Sequence, residues 1–293
     1  GGFAKIYGDF QKDNRFGRNL AFGVREFPMA AILNGMALHG GIIPFGGTFL
    51  VFSDYARPAL RSAAMQKIRV IHEFSHDSFY VGEDGPTHQP VEQEAQIRLL
   101  EKLKNHSGKP SFLALRPADS AETSVAWKMA MENQDTPTGL ILSRQNIKDI
   151  PAIGDSRYKE ALASEKGGYL VKEAENPDVV LIANGSEVAT LVAAAEILES
   201  ENGLKISIAS VISEGLFRLQ SKAYQDSVIP KNKPLFGLTA GLPVNLEGLV
   251  GDKGKVFGLD HFGYSAPANV LDDKFGFTGE KVSKQVLEYL KTI

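Results

Sequence analysis

Residues 82–90 combine residues that break regular structure with side chains that can carry out acid–base chemistry. Two glycines and two prolines in this segment exclude a helix or a central strand, so we predict a loop. The loop carries Asp84 and His88, and His76 stands shortly before it. Carboxylate and imidazole groups on a loop held by a rigid scaffold are suited to substrate binding and proton transfer. A connecting turn with an incidental histidine is the alternative interpretation.

A second group of candidate residues lies nearer the amino terminus. Glu26 stands with Pro28 at a predicted helix start, where the helix dipole favours a carboxylate. Further on, a Gly-Gly pair is followed by aromatic residues at every third position: Phe49, Phe52 and Tyr55. On a helix these rings would share one face. Such a stripe usually belongs to a core, but after a Gly-Gly turn it can also wall a flat heteroaromatic ring.

Short apolar segments alternate with amphipathic segments along the chain. The apolar segments predict buried strands at residues 68–71, 112–115, 139–142, 179–182 and 205–208. The amphipathic segments have helical spacing at residues 29–38, 92–104, 122–131 and 187–198. This alternation predicts an α/β protein with mainly parallel sheets and helices on both sheet faces.

A domain boundary is predicted between residues 147 and 178, where glycines, prolines and alternating charges concentrate. A cut near Gly154 gives two consecutive α/β domains of similar size, residues 1–154 and residues 155–293. Near the start of the second domain, Ser186 is predicted to cap a helix and Glu187 to lie at its positive end.

The composition excludes several classes of protein. The net charge of -3 over 293 residues gives no basis for a nucleic-acid or polybasic membrane partner. The sequence contains no cysteine, which excludes disulfides, thiolate metal sites and cysteine nucleophiles. No apolar run reaches the length of a membrane span, and the first residues lack a signal pattern. We therefore expect a soluble, cytoplasmic protein.

Eight motifs occur in the order found in transketolases. In the first predicted domain they are Gly-Val-Arg-Glu (23–26), Pro-Phe-Gly-Gly-Thr-Phe (44–49), Ser-His-Asp-Ser (75–78), the loop 82–90, Arg-Pro-Ala-Asp (116–119) and Ser-Arg-Gln-Asn (143–146). In the second they are Asn-Gly-Ser-Glu (184–187) and His-Phe-Gly-Tyr-Ser-Ala-Pro-Ala (261–268). The chain thus resembles a transketolase pyrimidine-binding domain, residues 1–154, followed by a transketolase C-terminal domain, residues 155–293. The family's N-terminal domain has no counterpart in these residues.

The resemblance implies a reaction and a cofactor. Transketolases of the pentose phosphate pathway transfer a two-carbon ketol unit from a ketose phosphate to an aldose phosphate, using thiamine diphosphate. In this family the N-terminal domain holds the diphosphate and its divalent metal, Mg²⁺ or Ca²⁺. The resemblance also implies a homodimer, or a dimer with a separate N-terminal chain, that acts on sugar phosphates.

The resemblance assigns roles to individual residues. Glu26 matches the catalytic glutamate that hydrogen-bonds the aminopyrimidine ring, and His88 matches a catalytic residue beside the scissile bond. The aromatic residues that match positions around the pyrimidine are Phe49, Phe52 and Tyr55. The residues that match positions contacting the sugar phosphate are His76, Asp84 and Arg144. No residue is assigned to the metal.

Three departures from the family pattern accompany these matches. Residues 1–6 lack the substrate-side Asp and Ser that usually open this domain, and Phe27 stands where a histidine is frequent. The spacer Phe79-Tyr80-Val81 before the loop is bulkier than usual, which we expect to alter loop packing.

Two alternative functions remain open from the sequence. A 1-deoxyxylulose-5-phosphate synthase shares the Asp-Gly-Pro-Thr-His core but would not be expected to carry the motifs at 45–49 and 143–146. A non-catalytic transketolase-like subunit is the other alternative.

Overall fold

The computed structural model describes residues 6–293, so residues 1–5, where most of the departure in the opening pattern falls, lie outside the described residues. The strands of the first sheet are β1 (Phe45–Phe49), β2 (Ile71–Ser75), β3 (Leu113–Leu115) and β4 (Thr138–Ile141). Their spatial order is β1-β2-β4-β3, and each neighbouring pair is parallel.

Helices cover both faces of this sheet. They are α1 (Glu26–His39), α2 (Ser53–Gln66), α3 (Gln93–Lys102) and α4 (Ser120–Glu132). Buried residues of α1, α2 and α3 form one core cluster with Phe74 of β2. Ala126 of α4 packs with Ile71 on the other face. The two layers follow from strand geometry, because Ile71 and Phe74 point to opposite sides of the sheet.

The second sheet contains β5 (Tyr169–Lys172), β6 (Val179–Ala183), β7 (Ile206–Ser210), β8 (Leu235–Leu238) and β9 (Lys255–Phe257). Its order is β5-β7-β6-β8-β9, with β5 antiparallel to β7 and the other pairs parallel. The helices of this part are α5 (Arg157–Ala161), α6 (Glu187–Asn202), α7 (Glu214–Leu219), α8 (Lys222–Val228), α9 (Val244–Val250), α10 (Ala268–Phe275) and α11 (Gly279–Leu290). None of the helices within residues 6–293 has the length and apolar character of a membrane span.

The predicted architecture of two consecutive α/β units is confirmed, with corrections to individual elements. The strand predicted at residues 68–71 begins only at Ile71 and continues to Ser75. The prediction stopped at Ile71 because the polar residues His72 and Glu73 interrupt the apolar run on which it was based. The Gly46-Gly47 pair lies inside strand β1 and is not a turn. A Cβ on Gly46 would lie 2.5 Å from Cδ1 of Leu33, so close packing of α1 requires glycine there.

Candidate functional site

The candidate residues of the first domain gather at the carboxyl edge of its sheet. Phe49 ends β1, His76 follows β2 directly, and Arg144 follows β4. Helix α1, which begins with Glu26, precedes β1 and is joined to it by residues 40–44. Ligands of open parallel sheets bind at this edge, where the strands deliver successive loops.

The aromatic residues form a series of neighbouring rings where the chain changes from strand to helix. The ring centroids of Phe49 and Phe52 are 6.0 Å apart with an interplanar angle of 15°. Those of Phe52 and Tyr55 are 6.1 Å apart. The prediction of one shared helix face is wrong, because Phe49 ends a strand, Phe52 ends the 3₁₀ turn Leu50–Phe52 and Tyr55 lies in α2. The Tyr55 side chain is 64% exposed, so the series is open at one end.

His76 occupies the centre of the site in a strained conformation. Its φ of 60° lies in the left-handed region, which costs a non-glycine residue about 1–3 kcal/mol and is characteristic of functional sites. Its ring stacks on Phe49 with the centroids 3.5 Å apart, and its Nδ1 lies 3.0 Å from the Ser75 hydroxyl. Partial burial lowers the pKa of His76, and the charge of Arg144 lowers it further, whereas Asp84 raises it. The charges of Arg144 and Asp84 act on His76 because the fold brings these three side chains near one another.

His88 also contacts the aromatic series. Its ring meets the rings of Phe52 and Phe49 edge-on, with the centroids 5.3 Å and 6.3 Å apart. Its Nδ1 lies 2.9 Å from the Thr87 hydroxyl, which orients the imidazole. Asp84 and Arg144 are exposed and therefore accessible to a ligand. The structure thus brings His76, His88 and the aromatic series together.

The loop that carries Asp84 and His88 takes its shape from its glycines. The segment Phe79–Asp84 contains 3₁₀ turns that are interrupted by a kink at Gly82, whose φ is 80°, and Gly85 follows the segment with a φ of 75°. Residues with a Cβ rarely adopt these values. The backbone then folds on itself through a hydrogen bond of 3.0 Å from His88 N to Gly85 O. Short 3₁₀ turns thus precede and overlap the start of the predicted loop 82–90, and the backbone departs from helical geometry at Gly82 and at Gly85.

Glu26 opens α1 at the positive end of the helix, as predicted, and is half-buried. Met29 and Leu33 of this helix are buried and lie near Gly46 of β1. Phe27, which departs from the family pattern, is 48% exposed and belongs to none of the core clusters of the described residues. Within the described part of the chain, the structure shows no direct contact between Glu26 and the aromatic series, and that series, open at one end, is suited to a flat heterocycle.

The sequence analysis did not identify two titratable residues of β2, His72 and Glu73. Full burial lowers the pKa of His72 to about 4, and burial raises the pKa of Glu73 to about 7. A Cβ on Gly47 would lie 2.3 Å from Oε2 of Glu73, so this glycine makes room for the carboxyl group. A strand predicted from apolar runs alone gives no signal for such residues.

A buried ion-pair network centred on Arg116 was also missed. Its Nε donates to Oδ2 of Asp77 at 3.0 Å, and its Nη2 donates to Oε1 of Glu187 at 3.1 Å. The side chain of Ser186 does not cap α6, contrary to prediction, because its hydroxyl donates to Oε1 of Glu187 at 2.9 Å. Glu187 begins α6 as predicted, but its carboxylate binds the guanidinium. Asp77, beside His76, is thereby tied to the second domain.

Among residues 6–293, no cluster of three or more His, Cys, Asp or Glu side chains has the arrangement of a metal site.

Comparisons with known proteins cover almost the whole chain. The family profile described as "Transketolase, pyrimidine binding domain" matches residues 4–149, and "Transketolase-like TK C-terminal domain" matches residues 167–278. The transketolase of Aquifex aeolicus is 44% identical over 286 residues, which are 97% of this chain and 40% of that protein. The chain thus spans about two fifths of the length of the curated relatives it matches.

Solved structures give the same result. The transketolase from Leishmania mexicana superposes with a TM-score of 0.86 and 41% identity, covering 97% of this chain and 39% of that one. A Pichia stipitis transketolase, solved in complex with sedoheptulose 7-phosphate, superposes with a TM-score of 0.85 and 34% identity, covering 97% of this chain and 40% of that one.

Proposed function

The chain belongs to the transketolase family, and from this premise we propose that it supplies the pyrimidine-binding part of a thiamine-diphosphate-dependent active site. The proposed reaction transfers a two-carbon ketol unit from a ketose phosphate to an aldose phosphate. The observation that supports the proposal is the convergence of His76, His88 and the aromatic series from Phe49 to Tyr55 at one sheet edge.

The cofactor's contacts are proposed from the same arrangement. Thiamine diphosphate, when bound, supplies the electron sink for cleavage of the carbon–carbon bond. Phe49, Phe52 and Tyr55 would hold the pyrimidine ring through flat apolar contact. Glu26 would share a proton with a nitrogen of that ring, because a carboxyl group at the edge of an apolar wall can hold and return a proton.

The polar residues are proposed to bind the donor sugar. His88 would stabilise the substrate oxygen on which charge develops, and Asp84 would accept a hydrogen bond from a hydroxyl group. His76 and Arg144 would bind the phosphate. The guanidinium provides a permanent charge and paired donors, while the lowered pKa of His76 favours a neutral imidazole that donates one hydrogen bond. The Pichia stipitis complex with sedoheptulose 7-phosphate is consistent with this substrate class.

A partner that supplies the diphosphate and metal sites is part of the proposal. The chain spans about two fifths of its relatives, so we place these sites, with Mg²⁺ or Ca²⁺, in a further domain of the same polypeptide or in a separate chain. Helix α1 and the segment after it expose apolar side chains: Phe27, Ile32, Leu38 and Ile42. Exposed apolar surface of this kind is typical of a protein interface. The assembled enzyme is proposed to be a dimer of complete units.

The test measures ketol transfer by the assembled enzyme, which contains this chain and its diphosphate-binding domain. Assembly and thiamine diphosphate content are verified first, by sedimentation and by absorbance of the released cofactor. We expect turnover of a ketose phosphate with an aldose acceptor. An assembled, cofactor-loaded enzyme that transfers no ketol unit would identify the chain as a non-catalytic subunit.

A further inference from the structure

The substrate loop is anchored at both ends in the core of the other domain. We define the substrate loop as residues 79–91. Phe79 and Val91 belong to the core cluster formed mainly by the second sheet and its helices. The Phe79 ring meets those of Phe275 and Phe277, with the centroids 5.2 Å and 5.0 Å apart. The Val91 carbonyl accepts a hydrogen bond of 3.1 Å from the backbone N–H of Leu242. The loop thus follows β2 in sequence but packs with the second domain.

The middle of the loop is also held by the second domain. Buried Gln89 donates from Nε2 to Gly82 O at 2.8 Å and to Tyr264 O at 3.0 Å, so one amide joins two internal positions of the loop to the second domain. The hydroxyl of Ser265 donates to the Glu83 carbonyl at 2.5 Å. A Cβ on Gly85 would lie 3.2 Å from Cβ of Ser265, which shows how closely the two segments run.

A hydrogen bond between two side chains completes this attachment. The hydroxyl of Tyr80 donates to Oδ1 of Asp272 in α10. The Tyr80 ring stacks on Phe79, with the centroids 4.3 Å apart, so its direction is set by the same anchor. Partial burial raises the pKa of both Tyr80 and Asp272, and a hydrogen bond is stronger in such a shielded environment. Tyr80 belongs to the spacer that is bulkier here than is usual in the family.

We propose that Tyr80 and Asp272 are positioning residues through which the second domain fixes the substrate loop. They act through Asp84 and His88, which follow Tyr80 on the same short segment. A displacement of the loop at Tyr80 moves both groups away from the donor, and a misplacement of about 1 Å can cost about 10²-fold in rate. The catalytic consequence rests on the proposed function, whereas the attachment of the loop does not.

The first test measures hydrogen–deuterium exchange of peptides covering residues 79–91 in the chain itself. The variants are Tyr80→Phe, Asp272→Ala and their combination. Tyr224→Phe is the matched control, because it removes a tyrosine hydroxyl that donates to Gly168 O at 2.9 Å, away from the loop. We expect loop amides to exchange about three- to tenfold faster in each single variant, as loss of one hydrogen bond implies. The double variant should match the single ones, and the control should match the parent.

Asp272→Asn separates positioning from packing, because its amide oxygen still accepts the hydrogen bond from Tyr80. We expect exchange near that of the parent, whereas Asp272→Ala exchanges faster. Unchanged loop exchange in Tyr80→Phe would overturn the proposal. Additive effects of Tyr80→Phe and Asp272→Ala would also overturn it, because they would show that the two side chains do not act on the loop together.

The second test measures kinetics of the same variants in the assembled enzyme. We expect kcat/KM for the donor to fall about three- to tenfold in Tyr80→Phe, with Asp272→Asn near the parent and thiamine diphosphate affinity unchanged. If the exchange results hold but the parent assembly transfers no ketol unit, the proposed function fails and the attachment stands. If the parent is active and kcat/KM does not change in a variant with faster loop exchange, the positioning role fails.

Discussion

Arg116 and Glu187 form a buried ion pair that joins the two domains. Arg116 follows β3 of the first sheet, and Glu187 is the first residue of α6 in the second domain. Nη2 of the same guanidinium also lies 2.8 Å from Oδ2 of Asp77, the neighbour of His76. Burial raises the pKa of Glu187, and the charge of Arg116 opposes that rise. The site edge and the domain interface therefore share one charge network.

Glu187→Ala should destabilise the chain strongly, because it leaves the Arg116 charge buried without its main partner. Removing one member of a buried ion pair costs about 3–5 kcal/mol. Urea unfolding measures this change. Glu280→Ala is the matched control, since Glu280 pairs with Lys284 in solvent at 2.6 Å and an exposed pair of this kind contributes far less than a buried one. Equal effects of the two substitutions would contradict the assigned importance of the network.

His72 and Glu73 should give the stability of the chain opposing dependences on pH. The pKa of His72 falls from 6.5 to about 4 on folding, so the contribution of this imidazole to the free energy of unfolding decreases as pH falls from 6.5 toward 4. The pKa of Glu73 rises from 4.5 to about 7 on folding, so the contribution of this carboxyl group to the free energy of unfolding decreases as pH rises from 4.5 toward 7. Between about pH 4.5 and 6.5 the two slopes offset each other.

Single substitutions should reveal each slope. Relative to the parent, His72→Phe should lose stability as pH rises through this window, because the Glu73 effect is then unopposed. Glu73→Gln should gain stability as pH rises. Unfolding free energies measured at several pH values provide the comparison, and a slope change of up to about 1.4 kcal/mol per pH unit is expected for buried His72. His106→Gln, at an exposed position, is the control. Parallel curves for all variants would disprove the assignment.

Glu26→Gln should nearly abolish turnover and leave sugar-phosphate binding intact. An amide cannot share a proton as a carboxyl group does, and loss of a positioned proton-transfer group costs about 10²–10⁴-fold in rate. Steady-state kinetics of the assembled enzyme, with cofactor content verified, measure this loss. Near-normal turnover would remove the basis for the proposed role of Glu26.

Arg144→Ala should weaken binding of phosphorylated donors, because the guanidinium is proposed to meet the phosphate, away from the reacting carbon. The effect should shrink for hydroxypyruvate, which has no phosphate. Donor KM values for both substrates test this, with Lys148→Ala, an exposed cation on the same segment, as the control. Equal impairment of both donors would exclude a phosphate-binding role for Arg144.

The sequence alone predicted the α/β class and the candidate residues, because these depend on local patterns. Apolar runs and helical spacing identify buried elements from neighbouring residues, and the motifs around Glu26, His76 and His88 are contiguous. The strand containing Gly46 was not predicted, since glycine has low strand propensity. The presence of glycine at position 46 is explained only by the close packing of Leu33 against it. The ring geometry of Phe49, Phe52 and Tyr55 was mispredicted, since a period of three does not reveal a strand-to-helix turn.

Only the tertiary structure decided which residues join the two domains. Arg116 meets Glu187 across 71 positions, and Tyr80 meets Asp272 across 192 positions. Each of these residues, considered locally, has a plausible separate role: Glu187 suits a helix start, and Tyr80 resembles an ordinary apolar spacer. Burial raises the pKa of Glu187 and Tyr80 only after two distant segments exclude water from them. The pairing of these polar groups is therefore a property of the packed chain, because desolvation and long-range contact arise only on folding.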